Sequence, residues 1–368
     1  MKIRTITFFY LFKSLSFDNR FLSFLSRIEN VRKGFEESGI EVQTVRLTSN
    51  AADFIKNRAD VAESVILEDV AEDFGITFLN YGLFNSNISM LPELFNTTKN
   101  VSASTKIVCK DSIDIKMIKK TSAIIKDISN LKKNKNFNYC VSMNIREHTP
   151  FYPASFASEE GFSIGYENGD IIGQAFKNVS SYEKALKNLI GIINKEYKKI
   201  EKIAYSLAKE SGLKYLGVDT SFAPGLKKSD SVFEQFDYLK KNAGIDYLST
   251  AGLLTDAAKR VNVKRAGYSG LMLPVCEDIS LAKKCDKGEM TIERILLLSS
   301  VCGCGLDTVP VSGNITAERI SSILLNAATL SYKWQKPLSV RLLPVYGKRA
   351  GERTSFNSPH LVNSIILE

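Results

Sequence analysis

The stretch "VCGCGLDTVPVSG", residues 301–313, joins a glycine-rich loop to a short apolar strand. Cys302, Cys304 and Asp307 lie within six positions, and a glycine follows each thiol. Glycine tolerates positive φ and close backbone approach, so such a loop can aim a side chain. The segment "LDTVPV" predicts a strand, and the flanking "TIERILLLSSV" and "AERISSILLNAATLSYKW" predict helices. The stretch therefore predicts an α/β fold with a site loop at a strand–helix junction.

The same alternation of strand and helix continues along the chain. Apolar segments predict strands, whereas apolar residues at intervals of three and four predict helices. The predicted strands include "KIRTITFF", "IEVQTVRL", "GITFLNYG", "KYLGVDTSF", "GYSGLMLPV" and "LSVRLLPV". Asn50 is expected to cap one helix, and Ser180 with Glu183 to form the capping box of another. With no linker, the pattern predicts a single α/β domain over residues 1–368 with about ten strands, mostly parallel.

The composition is typical of a globular chain, with 44% hydrophobic and 24% charged residues among 368. The net charge of +9 comes mainly from lysines on polar helix faces. Aromatic residues are not interleaved with these lysines, so no nucleic-acid partner is predicted. No apolar run reaches about 18 residues, so no membrane span is predicted, and a cytoplasmic protein is expected.

Six cysteines without a regular framework are expected to be reduced thiols. The C-x-C pair has no second pair and no nearby histidine, so it is a weak zinc signal. Only two histidines occur, which excludes a histidine-rich metal site. The chain has neither a G-x-G-x-x-G motif after a strand nor a P-loop motif, so it identifies no cofactor.

Five loops at strand ends carry the candidate chemistry: "GYENGD", "GVDTSFAPG", "LPVCEDIS", the stretch quoted first, and the basic loop "LLPVYGKRAGERT". Ligands in α/β proteins gather beyond the carboxyl ends of strands, so these loops are expected to converge on one pocket. The catalytic candidates are Cys302 as a nucleophile and Asp219, Glu277 and Asp307 as acid or base groups. The ligand-binding candidates are Glu167, Asp278, Gly303, Gly305, Lys348, Arg349 and Arg353.

Most of these candidates also have a purely structural interpretation. Asp278 precedes a predicted helix and is equally suited to be its N-cap. Asp219 can simply hold its turn. The "GKRAG" stretch suits an anion but lacks P-loop spacing, and an ordinary surface turn explains it too. Cys302 can be a small buried residue that packs a tight turn rather than a reactive thiol.

Several motifs occur together in a fixed order and carry a family resemblance. They are "HTPFYPASF", "FSIGYENGD", "GVDTSFAPG", "GYSGLMLPVCED", "CGCGLDTVPVSG" and "RLLPVYGKRAGERTSFNSPHLVNS". The chain resembles the uncharacterised domain of unknown function 711 family over nearly its whole length. None of the motifs is a known catalytic signature.

The resemblance implies a ten-stranded α/β barrel similar to that of pyruvate formate-lyase, in which a central loop presents a cysteine. It places Cys302 near the barrel centre by analogy. The family pattern C-G-x-G-L-D leaves Cys304 at the variable position, so Cys302 is predicted to face the pocket and Cys304 to pack. The C-terminal stretch lacks the glycine motif of a glycyl radical enzyme, so radical chemistry is not expected.

Two functions remain open at this stage. The first is an enzyme that acts on a small anionic metabolite, held by the basic loop, without a glycyl radical. The alternative is a non-catalytic metabolite-binding or regulatory protein on a degenerate enzyme barrel. A homo-oligomer is compatible with both.

Overall fold

A computed structural model describes residues 2–15, 18–109, 111–131 and 134–368. Within these ranges the chain forms ten strands and eleven α-helices. The strands are β1 (Lys2–Tyr10), β2 (Val45–Ser49), β3 (Phe78–Leu83), β4 (Val101–Cys109), β5 (Ser112–Ile113), β6 (Tyr139–Met143), β7 (Gly161–Glu167), β8 (Tyr215–Asp219), β9 (Gly305–Ser312) and β10 (Leu338–Val345). The alternation of strand and helix confirms the predicted α/β class.

The helices connect the strands and bury their apolar faces. They are α1 (Asn19–Glu37), α2 (Arg58–Asp73), α3 (Leu91–Thr97), α4 (Ile115–Asn130), α5 (Gly169–Phe176), α6 (Tyr182–Ser211), α7 (Phe233–Ala243), α8 (Tyr247–Lys259), α9 (Ile279–Asp286), α10 (Ile292–Ser299) and α11 (Ala317–Trp334). In α1 the buried positions recur every three or four residues, as the sequence predicts. No helix in the described ranges is both long enough and apolar enough to cross a membrane.

Two helix starts differ from the prediction. Asn57, rather than Asn50, caps α2, because its side chain accepts hydrogen bonds from two first-turn N–H groups. Asn50 instead pairs with the backbone of Phe12. Ser181, one residue beyond Ser180, caps α6. When several polar residues precede a predicted helix, the sequence alone does not show which of them adopts the extended conformation of the N-cap.

The strands form one mixed sheet in the order β8-β7-β1-β2-β3-β4-β6-β10-β9, with β5 paired to β4. Strands β1 to β4 and β6 are parallel to one another. Antiparallel pairing joins β7 to β1 and β10 to β6. Strand β10 is buried along its whole length, which its nearly continuous apolar sequence explains, since both faces are covered.

The segment "GYSGLMLPV" is not the strand that its sequence predicts. It makes only isolated parallel bridges, Val218 to Arg265 and Phe222 to Leu271 on one side and Pro274 to Asp307 on the other. Gly267 and Ser269 have φ of 63° and 48°, which interrupts an extended backbone. The segment nevertheless lies between β8 and β9, the two ends of the sheet order.

Candidate functional site

A cavity of about 420 Å³ opens where β1 to β4 begin and where β7 and β8 end. Its apolar wall includes Phe137, Phe151 and Met272. The charged lining residues are Lys2, Arg4, Arg46, Glu167, Lys227, Asp230, Glu277, Asp307 and Arg341. Four of the five predicted loops reach this cavity, through Glu167, Ala223, Glu277 and Cys304.

A line of alternating charges crosses the cavity wall, and we call it the ion chain: Glu167, Arg4, Glu277, Arg341 and Asp307. Arg4 lies 2.7 Å from one Glu277 oxygen and 3.7 Å from Glu167. Arg341 lies 2.6 Å from the other Glu277 oxygen and 2.6 Å from Asp307. The side chains of Arg341 and Glu277 are only 7% and 8% exposed, so these contacts are little screened by solvent.

Burial and neighbouring charge shift the pKa values of Asp307 and Arg341 in the ion chain. Burial raises the pKa of Asp307 above its usual value, Glu277 adds to the rise, and Arg341 opposes it. Burial disfavours the charged form of Arg341, but Asp307 and Glu277 outweigh this effect and raise the pKa of its guanidinium, which stays charged. A carboxyl with a raised pKa beside a cavity is a candidate proton donor.

Arg46 is the cavity arginine that stands apart from the ion chain. Its guanidinium lies over the rings of Tyr152 at 5.0 Å and Phe78 at 5.6 Å, and its Nε donates to Thr44 Oγ1 at 3.3 Å. In the described part of the chain, no carboxylate lies within 4.0 Å of it. Burial lowers the Arg46 pKa to about 10, helped by the repulsion of Arg4. The group is therefore a half-buried cation with no carboxylate in contact among the described residues.

The two thiols of the opening loop are placed the other way round from the prediction. Cys304 lines the cavity, whereas Cys302 lies in the hydrophobic core and is 1% exposed. Residues 301–304 form a turn, so the two thiols do not share one side as they would in an extended loop. Burial raises the pKa of both thiols, which disfavours the nucleophilic thiolate.

A comparison with models of protein families identifies the family to which this chain belongs. A family model described as "Uncharacterised ACR (DUF711)" matches residues 1–357. The chain belongs to the DUF711 family. A "UPF0210 protein" of Oenococcus oeni is 26% identical over 362 residues, covering 89% of this chain and 80% of the relative. Another, of Syntrophobacter fumaroxidans, is 27% identical over 321 residues, covering 79% and 70%.

Asp219 of this DUF711 chain is buried behind the cavity and organises two loops. Its carboxylate accepts hydrogen bonds from the Ser221 hydroxyl and N–H at 2.6 and 2.9 Å. It also accepts from the N–H groups of Tyr268 and Ser269, at 2.8 and 2.9 Å. The carboxylate thus ties the "GVDTS" loop to the "GYSG" segment, and it does not line the cavity. The turn-holding interpretation describes this geometry better than the catalytic one.

Asp278 is the N-cap of α9, as its structural interpretation predicted. It accepts from the N–H groups of Ser280 and Leu281, and also from the Ser231 hydroxyl and the Phe233 N–H. Burial raises its pKa, while these donors oppose the rise. Asp278 therefore supports the cavity wall from behind and lies outside the lining.

The basic loop of the DUF711 chain does not reach the cavity, contrary to the expected convergence of five loops. Lys348, Arg349 and Arg353 follow the end of β10, whereas the cavity meets this strand at Ser339 and Arg341. Arg353 pairs with Asp286 at 2.6 Å, and Lys348 donates to the Arg353 carbonyl. The loop thus folds back on its own surroundings.

The predicted glycines have a conformational role. Gly305 has a φ of 88°, and a Cβ there would lie 2.3 Å from the Ser339 carbonyl oxygen. Gly303 packs against Gly270, where a Cβ on Gly270 would lie 2.8 Å from the Gly303 Cα. Both glycines shape the backbone beside the cavity, and neither lines it.

Three arginines that supply positive charge to the cavity, Arg4, Arg46 and Arg341, were not among the predicted site residues. They stand in "KIRTITFF", "IEVQTVRL" and "LSVRLLPV", which were interpreted only as strands. A charged residue inside an otherwise apolar strand is the signal that could have found them, because an unpaired charge there is costly. No group of three or more metal-ligand side chains occurs within the described ranges.

Proposed function

We propose that this cavity binds a small anionic metabolite, with Arg46 as the residue that holds the anion. The observation that carries the proposal is the Arg46 guanidinium, which is half-buried in the cavity without a carboxylate in contact. A buried or partly buried cation is stable when it is paired, so its open fork is suited to a carboxylate or phosphate. The guanidinium also lies over the rings of Phe78 and Tyr152, which hold it by cation–π contacts that leave its negative-ion partner to be supplied.

The size and lining of the cavity suit a ligand that also has an apolar part. A volume of about 420 Å³ lies within the range of small-molecule sites. Phe151 and Met272 offer an apolar surface next to the charged wall. The proposed ligand is therefore an anion with a hydrocarbon or aromatic body rather than a bare inorganic ion.

We further propose that the protein is an enzyme that uses carboxyl groups rather than a thiol. Glu277 and Asp307 line the cavity as the acid–base candidates, and burial raises the pKa of Asp307 above its usual value. The chemistry proposed here involves neither a Cys302 thiolate nor a glycyl radical, because Cys302 is outside the cavity and the radical motif is missing from "YGKRAGERT".

A second candidate function is a non-catalytic binding protein. It is favoured by the engagement of both proposed acid–base groups, Glu277 and Asp307, with arginines. Turnover of a bound anion would decide for the enzyme, whereas binding without turnover would decide for the alternative.

The finer fold assignment is also a proposal. We propose that residues 1–368 form one domain, a ten-stranded α/β barrel like that of pyruvate formate-lyase, closed where the segment 265–274 lies between β8 and β9. The isolated bridges on both sides of that segment support this closure. We propose the cytoplasm as the location, because no apolar run of the sequence reaches the length of a membrane span.

The test compares Arg46→Ala with Arg58→Ala, which removes an exposed arginine at the start of α2. Binding of 3-phenylpropionate and phenyl phosphate is measured by isothermal titration calorimetry near neutral pH. Arg46→Ala should lose about 1.5–3 kcal/mol of binding free energy, and therefore roughly tenfold or more in affinity, while Arg58→Ala binds like the wild type. Equal binding by wild type and Arg46→Ala, or no binding of any anion, would overturn the proposal.

A further inference from the structure

The ion chain carries more negative than positive formal charge. Its three carboxylates, on Glu167, Glu277 and Asp307, face the two guanidinium groups of Arg4 and Arg341. Arg46 supplies a third cation, but no described carboxylate is in contact with it. Among the other charged lining residues, Lys2 pairs with Glu41 at 3.7 Å, and Lys227 and Asp230 carry opposite charges. The cavity thus has a surplus carboxylate on the ion-chain side and, on the other side, a guanidinium with no carboxylate in contact among the described residues.

A ligand that is only anionic would neutralise one of these two sides. It would pair with Arg46 and leave the surplus carboxylate of the ion chain uncompensated at low dielectric. A ligand that carries both an anionic and a cationic group would neutralise both sides. We infer that the ligand is a small zwitterion, an amino carboxylate, whose carboxylate binds Arg46 and whose ammonium group binds Asp307.

The partners of the three carboxylates assign the ammonium group to Asp307. Each oxygen of Glu277 already contacts a different arginine, so both of its oxygens have a cationic partner. Glu167 has a neutral donor in addition to Arg4, the Gln43 amide at 3.3 Å. Asp307 has one side-chain donor, Arg341 Nε at 2.6 Å.

This inference rests on the proposed function and adds a second recognition element to the same cavity. It leaves the apolar body of the ligand, beyond the carbon that carries both charged groups, to contact the apolar wall of the cavity. L-Phenylalanine and 3-phenylpropionate are matched probes, because they differ only in the ammonium group. 2-Phenylethylamine is the complementary probe that lacks the carboxylate.

The experiment measures the affinities of the three probes by calorimetry near neutral pH, on wild type, Asp307→Asn and Glu167→Gln. We expect wild type to bind phenylalanine about tenfold or more tightly than 3-phenylpropionate, and 2-phenylethylamine most weakly. Asp307→Asn should abolish the preference for phenylalanine while it retains 3-phenylpropionate binding. Glu167→Gln should retain the preference. Thermal melts of the variants confirm that they are folded.

The outcomes separate this inference from the proposed function. Equal or weaker binding of phenylalanine than of 3-phenylpropionate overturns the zwitterion inference, and the Arg46 anion site then stands on its own variant test. A preference for phenylalanine that survives in Asp307→Asn overturns the assignment of the ammonium group. If neither phenylalanine nor 3-phenylpropionate binds, the inference fails as well.

Discussion

Replacing Arg341 with methionine tests whether the ion chain depends on the cation that links Glu277 to Asp307. Removal of one partner from a buried ion pair typically costs about 3–5 kcal/mol, because the remaining charge is left uncompensated. Arg341 serves two carboxylates, but Glu277 keeps Arg4 at 2.7 Å, so only Asp307 loses its ion-pair partner. We therefore expect a loss of about 3–5 kcal/mol in the free energy of unfolding for Arg341→Met, rather than twice that amount.

Urea unfolding followed by far-ultraviolet circular dichroism measures this loss, and the double variant Arg341→Met/Asp307→Asn is its control. The double variant should recover more than half of the lost stability, because it removes the carboxylate that is left without a partner.

Asp307 has a folded-state pKa above its ordinary value of 3.8. Its contribution to stability is therefore present at low pH and is lost as the pH rises through the folded-state pKa. Arg341→Met should accordingly be least destabilised in acid. A loss below about 1 kcal/mol, or a double variant no more stable than the single one, would refute the reasoning.

Three other predictions concern the residues around the cavity. Asp219→Asn should lower the free energy of unfolding by about 2–4 kcal/mol in urea unfolding, because the Asn side chain cannot accept all four hydrogen bonds that Asp219 accepts. Calorimetry should show an unchanged affinity for 3-phenylpropionate. Gly305→Ala should lower the melting temperature more than Gly39→Ala, since both have positive φ but only Gly305 faces a backbone clash; equal shifts would contradict this. Iodoacetamide on the native protein should modify the exposed Cys109 and spare the buried Cys304 until the chain is unfolded, as peptide mass spectrometry can show.

Much of the architecture was predictable because it depends on local periodicity. Strand β1 and helix α1 follow directly from the spacing of their apolar residues. The segment 265–274 was misassigned, because its apolar composition suits a strand while its backbone turns at Gly267 and Ser269. The two antiparallel pairings of β7 and β10 depend on which strands meet, and periodicity does not contain that information.

The carboxylates of the site were easier to predict than its cations. Glu167, Glu277 and Asp307 lie at or near strand ends beside glycine or proline, where site residues are commonly found. Arg4 and Arg341 are inside strands, and their partners are distant in sequence, so no local pattern identifies them. The orientation of the two thiols depends on a turn at residues 301–304, which the letters C-G-C do not specify.

The ion chain ties together five parts of the polypeptide: β7, β1, the turn at residues 275–277, β10 and β9. Loss of Arg341 is tolerable only when Asp307 changes with it, since either charge alone is costly at such burial. Members of the family that lack an arginine at the position of Arg341 should therefore also lack a carboxylate at the position of Asp307. Such linked substitutions across relatives would identify the same contacts that the structure shows.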